Sequence, residues 1–227
     1  MTSSLLLAID TATRAASLAL HDGTRICVEL SWESPDHHTV ELTPRIAGML
    51  SQLETTVDDL AGIAVSLGPG SFTGLRVGVS VAKGLAMARG ISLIGVPTLD
   101  IVAQAVKDVH TPLVAVLAAG RGRLVAQRYQ WNKSNLTADG PAWLTTAHDL
   151  GADWQETLRV CGELTAEERQ ELKKRLGARV EIATPAASLR RAGYLAELGW
   201  AKLRAGQVSE PTTLAPIYIQ TPSGSPA

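Results

Sequence analysis

Residues 65–78, Val-Ser-Leu-Gly-Pro-Gly-Ser-Phe-Thr-Gly-Leu-Arg-Val-Gly, constrain this chain more than any other stretch. An apolar strand runs into Gly68-Pro69-Gly70, and a helix begins at once at Ser71. Glycine and proline supply the backbone angles of a sharp turn, and Ser71 is placed to cap the free N–H groups of the new helix. A helix N-terminus so oriented favours an anion or a phosphate. The helix expected over 71–88 gathers Thr73, Arg76, Ser80 and Lys83 into one narrow polar stripe. Leu75, Val77, Val79, Val81, Ala82, Leu85 and Ala86 fill most of the remaining circumference. So little wet surface calls for cover on more than one side. Gly74 and Gly78, four apart, leave a groove where another backbone can come close. The cover is either the chain's own domain or a second protein chain.

Upstream, Leu-Leu-Leu-Ala-Ile-Asp at 5–10 is an apolar run closed by an acid, the pattern of a central buried strand. Residues 15–21 and 26–32 read as two more strands, and Asp22-Gly23 between them is a hairpin signal. Together they make an antiparallel meander. Residues 39–53 turn helical, with Leu42, Ile46, Met49, Leu50 and Leu53 at i, i+4, i+7, i+8 and i+11. Pro44 lies inside, so either a kink or a start near Pro44 is expected. A strand at 63–67 feeds the Gly-Pro-Gly turn, a strand at 91–96 follows, and Pro97-Thr98 opens a helix to 106. Alternating strands and helices imply parallel neighbours joined by crossovers.

Near residue 110 the plan restarts, with strands at 112–118 and 124–131 around a small basic turn at 119–123. The expectation is a duplicated α/β fold of two lobes, 1–109 and 110–220, with mixed sheets flanked by helices and a flexible tail at 221–227. In the second lobe, 132–140 reads as an exposed loop, 159–162 as a short strand and 165–176 as a charged surface helix. Thr184-Pro185 should cap and open a helix that runs to 205 and packs back toward the first lobe. Residues 214–219 read as a last strand or extended segment.

The 227 residues, 45% hydrophobic and 19% charged, suffice for a real core. A net charge of -1 and 4% aromatics argue against a basic field or a stacking platform for nucleic acid, so a role with RNA would pass through a partner. Cys27 and Cys161 lack a CxxC partner and read as small core residues of a reducing compartment. The N-terminus has no basic leader, and the uncharged, largely apolar run 60–75 is shorter than the ~20 residues of a membrane span. A cytoplasmic chain is expected.

Asp10, beside Thr11 and Thr13, could hold Mg²⁺ through water and bond a phosphate, as in the first phosphate loop of an actin-like nucleotide fold, or could cap its own turn. Such folds need a second acid on the second lobe's opening hairpin and a glycine-pair turn late in the chain. Ala118-Ala119-Gly120 and Cys161-Gly162-Glu163 supply neither. ATP turnover is therefore not expected, and a small ATP-dependent phosphotransferase or ATPase is the rival reading. The five histidines form no i, i+4 pair, so no metal site is expected, and His37-His38 read as solvated. Ser71 is not in a G-x-S-x-G setting and reads as a helix cap.

Leu7-Ala8-Ile9-Asp10-Thr11-Ala12-Thr13, together with Gly68-Pro69-Gly70-Ser71-Phe72-Thr73-Gly74-Leu75-Arg76-Val77-Gly78, resembles the TsaB (YeaZ) family of bacterial tRNA threonylcarbamoyladenosine biosynthesis proteins. The His38 segment before a proline-containing helix and Pro216-Ile217-Tyr218-Ile219 add to the resemblance. It implies an actin-like (ASKHA) two-lobed fold related to the catalytic subunit TsaD, without its zinc histidines or a working ATP site. It further implies a non-catalytic partner that binds TsaD through first-lobe helices and supports transfer of a threonylcarbamoyl group to adenosine 37 of ANN-decoding tRNAs. The ATPase TsaE joins that assembly. No cofactor is expected, and ATP, if bound, would sit weakly or at the interface with TsaD. Asp10, Thr11, Thr13, Gly68, Pro69, Gly70 and Ser71 would then be a vestigial phosphate loop. Where members commonly carry an acid and an arginine pair, this chain has Ala118-Ala119-Gly120.

The helices at 39–53 and 71–88 are accordingly expected to pair and present an apolar surface to TsaD, or to a second copy when TsaD is absent. Leu42, Ile46, Met49, Leu50, Leu75 and Val79 are the interface candidates, in a contact of about 1,600 Å².

Overall fold

The computed structural model describes residues 5–34, 37–106, 111–132 and 135–219. In chain order it begins β1 (Leu5–Asp10), β2 (Ala15–His21), β3 (Ile26–Glu33), α1 (His38–Gln52), β4 (Leu60–Ser66), α2 (Phe72–Arg89), β5 (Ser92–Val96) and α3 (Thr98–Gln104). It continues β6 (Leu113–Ala118), β7 (Leu124–Asn132), β8 (Asn135–Ala138), β9 (Trp143–Thr145), β10 (Leu158–Gly162), α4 (Ala166–Leu176), β11 (Val180–Ile182) and α5 (Ala192–Arg204). Two compact units result, one of residues 1–101 and 190–217, the other of 102–189 and 218–227.

In the first unit the sheet order is β3-β2-β1-β4-β5. The meander β1–β2–β3 is antiparallel, and β4 and β5 run parallel to β1. Every residue of β1 is buried because both faces are covered. Leu5, Leu7 and Ile9 face a cluster built with Leu42, Ile46, Met49 and Leu50 of α1 and Val79 and Ala82 of α2. Leu6 and Ala8 face the opposite cluster with Ala192, Leu195 and Ala196 of α5. Alternate side chains of a strand point to opposite faces, so an unbroken apolar run needs helices on both.

The second unit repeats the plan. Its sheet order, β8-β7-β6-β10-β11, again joins an antiparallel meander to two parallel strands, with β9 added alongside β7. Leu172 and Leu176 of α4 pack on Val114, Val116, Leu158 and Val160. This is the duplicated, two-lobed actin-like fold expected from the sequence.

Several local expectations differ. Pro44 lies within α1, which runs through it from His38; the bond it forgoes would go to the carbonyl of Val40, a residue 69% exposed and within reach of solvent. His38 is buried, not solvated. Part of the loop expected at 132–140 is β8, whose polar residues pair with β7 at the margin of a sheet, where burial is not required. The helix expected from 184 breaks into a 3₁₀ turn, Ala186–Ser188, and α5, with Leu189 and Arg191 extended between them. That break lets Arg190 turn inward. The division falls at 101/102, not 109/110, and α5 is counted with the first unit. Residues 214–219 form no strand; Ile217 N–H donates to the Leu67 carbonyl at 2.7 Å. The tail at 221–227 lies outside the described residues.

Candidate functional site

The segments nominated as a phosphate loop come together in the first unit, but as a closed structural knot. Ser71 caps α2, accepting from Gly74 N–H at 3.2 Å. Its own N–H donates to the Ala12 carbonyl at 2.6 Å. The Thr11 hydroxyl donates to the Gly74 carbonyl at 2.7 Å. A Cβ on Gly74 would stand 2.2 Å from the Thr11 carbonyl oxygen, and one on Gly78 2.3 Å from Thr11 Oγ1. The backbone that enters the glycine groove is therefore the β1–β2 turn of this same chain. Gly70 gives room to the Ala12 carbonyl, and Gly68, at φ +113°, gives room to that of Ile217, while Pro69 is buried. Gly68 N–H donates to Thr98 Oγ1 at 3.0 Å.

Asp10 is fully buried at the end of β1, and its carboxylate is spoken for. Oδ1 accepts from Ala12 N–H at 3.0 Å, and Oδ2 from Arg190 Nε at 2.5 Å. The same guanidinium donates to Thr13 Oγ1 at 2.9 Å and to the Ala15 carbonyl at 2.6 Å, while the Ser17 hydroxyl donates to the Arg190 carbonyl at 3.4 Å. Both charged side chains are at most 1% exposed. A divalent cation at Asp10 would have to displace an arginine held by three acceptors. Among the described residues no group of three His, Cys, Asp or Glu is arranged to hold a metal. In the second unit the strand-end position lacks an acid of its own, but Glu163, beyond β10, accepts from Ala118 N–H at 3.3 Å. Arg121 and Arg123 in that turn are exposed. Burial pushes the Cys161 thiol up to about 12, which removes it as a nucleophile.

The interface candidates need correction. Leu42, Ile46, Met49, Leu50, Leu75 and Val79 are at most 5% exposed in this chain alone. They build its core because the apolar stripe of each helix faces its own sheet. The outward faces consist of other residues. On α1, Val40, Thr43, Pro44, Ala47 and Ser51 are exposed at helical spacing. On α2 the exposed residues are Phe72, Thr73, Arg76, Ser80, Gly84, Met87, Ala88 and Arg89, with Arg76 stacked 3.6 Å over the Phe72 ring. Lys83, expected in the wet stripe, is half-buried and donates to the Leu214 carbonyl at 3.1 Å. A surface helix ordinarily carries Lys, Glu or Arg on its wet side. Their absence from 40, 43, 44, 47, 48 and 51 was the legible signal, masked by the stronger apolar periodicity of the inner face.

No helix among the described residues is long and apolar enough to cross a membrane. Residues 33–219 match the family described as TsaD: tRNA N6-adenosine threonylcarbamoyltransferase. The chain is 38% identical over 135 residues to the tRNA threonylcarbamoyladenosine biosynthesis protein TsaB of Escherichia coli (strain K12), a match covering 58% of this chain and 57% of that protein. It is 28% identical over 222 residues to the TsaB of Bacillus subtilis (strain 168), covering 95% of this chain and 93% of the other. YeaZ from Pseudomonas aeruginosa has the same fold, with a TM-score of 0.79 at 24% identity, over 95% of this chain and 100% of that one.

Proposed function

This chain belongs to the TsaD family, in its TsaB (YeaZ) group, and on that premise we propose that it is a non-catalytic partner of TsaD in threonylcarbamoylation of adenosine 37 of ANN-decoding tRNAs. It works in the cytoplasm, stabilises TsaD, takes part in recruiting TsaE, meets tRNA only within that complex, and pairs with a second copy of itself when alone. The observation that carries the reading is the outward face of α1 and α2. It is uncharged along α1, small at Ala47, Ser80 and Gly84, and flanked by Phe72 and Met87, which are 55% and 65% exposed. Small side chains let two helix pairs approach closely, and exposed aromatic and methionine side chains are the usual anchors of an interface core. The Asp10–Arg190 pair supports the non-catalytic part, since the carboxylate needed for a metal–nucleotide is neutralised from within.

The test is mass spectrometry of tRNA nucleosides from a reconstitution with and without this chain, alongside capture of TsaD by Ala47→Glu and Ser80→Glu variants. Both positions are exposed, so melting should be unchanged while capture and modified adenosine fall together. Full modification without the chain, or full capture by both variants, would refute the reading.

A further inference from the structure

The outward stripe of α2 reaches Met87, which is 65% exposed one turn before the helix closes at Gly90. Methionine carries a polarizable thioether whose sulfur takes up oxygen from a peroxide. Among the described residues the other methionine is Met49, which faces the first unit's core at 4% exposure. One thioether is open to a water-borne oxidant and the other is closed to it. Gly84, one turn back on the same stripe, has no atom within 4 Å of where a Cβ would stand, so no side chain at that position shields the sulfur.

The surroundings of Met87 decide what oxidation does there. One turn away along the chain lie positions 83, 84, 90 and 91. Lys83 already donates to the Leu214 carbonyl at 3.1 Å, 84 and 90 are glycines, and Ile91 is buried. Arg89, two residues on, is paired with Asp58 at 2.9 Å. A sulfoxide oxygen is a strong acceptor, and each of these neighbours is either committed elsewhere or has no donor to offer. In water the oxygen is solvated; beneath a partner it is buried without a bond, which is costly. The thiols compete poorly for the oxidant. Cys161 is buried, and partial burial together with the Asp22 carboxylate holds the Cys27 thiol above its ordinary range, which lowers its thiolate content.

We propose that Met87 is a reversible oxidation site that switches off docking at the outward α1/α2 face, an inference that rests on the TsaD reading. Hydrogen peroxide oxidises the thioether of the free protomer: the O–O bond breaks, one oxygen bonds to Sδ, and the other leaves as water. Sulfur loses two electrons and the peroxide gains them. A methionine sulfoxide reductase reverses the step, releasing the oxygen as water while two thiols become a disulfide. Oxidation turns an apolar anchor of the face into a polar group that docking must strip of water.

The full chain, dilute and without TsaD, is treated with hydrogen peroxide, quenched with catalase and divided. Peptide mass mapping should find Met87 carrying one oxygen while Met49 stays unmodified. The thermal melt should not move, since position 87 faces solvent. Capture of TsaD should weaken about tenfold and return after treatment with methionine sulfoxide reductase and dithiothreitol. Met87→Leu, compared with itself before and after peroxide, should lose nothing. Equal oxidation of Met49 and Met87, or the same loss to peroxide in Met87→Leu, would each overturn the inference. Failure of the untreated chain to capture TsaD removes the TsaD reading and this inference with it; equal capture by untreated and oxidised chain removes this inference alone.

Discussion

Replacing Arg190 with methionine leaves the Asp10 carboxylate buried with its cation gone. The pair is 1% and 0% exposed, and Arg190 also donates to Thr13 Oγ1 and the Ala15 carbonyl. Removing one partner of a buried ion pair typically costs ~3–5 kcal/mol, mostly the desolvation of the charge left behind. Against a whole-domain stability of about 5–15 kcal/mol, that is a large fraction. At a urea slope of about 2 kcal/mol/M, the midpoint should fall by roughly 1.5–2.5 M. Trp200, whose ring lies 5.3 Å from that of His21 in the first unit, is the local fluorescence reporter. Asp10→Leu in the same background should restore part of the loss, since an apolar pair carries no buried charge. A double-mutant cycle should then give a coupling of at least about 2 kcal/mol. A loss under about 1 kcal/mol for Arg190→Met, or single losses that merely add, would refute the claim that this pair ties β1 to the entry of α5.

Gly78→Ala should destabilise by ~1–3 kcal/mol, because its Cβ would meet Thr11 Oγ1 at 2.3 Å; Thr11→Ala should partly rescue it in a thermal melt, and an absence of rescue would locate the strain elsewhere. The Thr24 hydroxyl, with the N–H groups of Thr24 and Arg25, holds the Asp22 carboxyl well below the usual carboxylate range. With the folded value depressed, the turn's stabilisation is present above the ordinary aspartate value of ~3.9 and is lost as pH falls through the folded one. Carbon-13 titration of Asp22 should place its midpoint below the ordinary range and move it up in Thr24→Ala. Calorimetry of the isolated chain with Mg-ATP should give no turnover; turnover abolished by Asp10→Ala would revive the phosphotransferase reading.

Much of this was legible from local pattern. The unbroken Leu5–Asp10 run requires cover on both faces, and the structure supplies α1 and α2 on one side and α5 on the other. Ser71 was readable as a cap because a serine following Gly-Pro-Gly and preceding apolar helical spacing has few other roles. Less visible was β8, a strand of four residues, too short for its Asn-Leu-Thr-Ala alternation to stand out within a polar stretch.

The sequence by itself determined most elements of the first unit, the repeat of the meander and the glycines that demand a close backbone, because those depend on neighbours a few residues away. Which backbone fills the Gly74–Gly78 groove, and which residue meets Asp10, only the tertiary structure decided. The partners lie 63 and 180 residues away along the chain, and no periodicity spans such distances. The side of α1 and α2 left to solvent was decided in the same way. An apolar stripe marks the face that must leave water, but whether its cover is a sheet of the same chain or another protein depends on where the strands close.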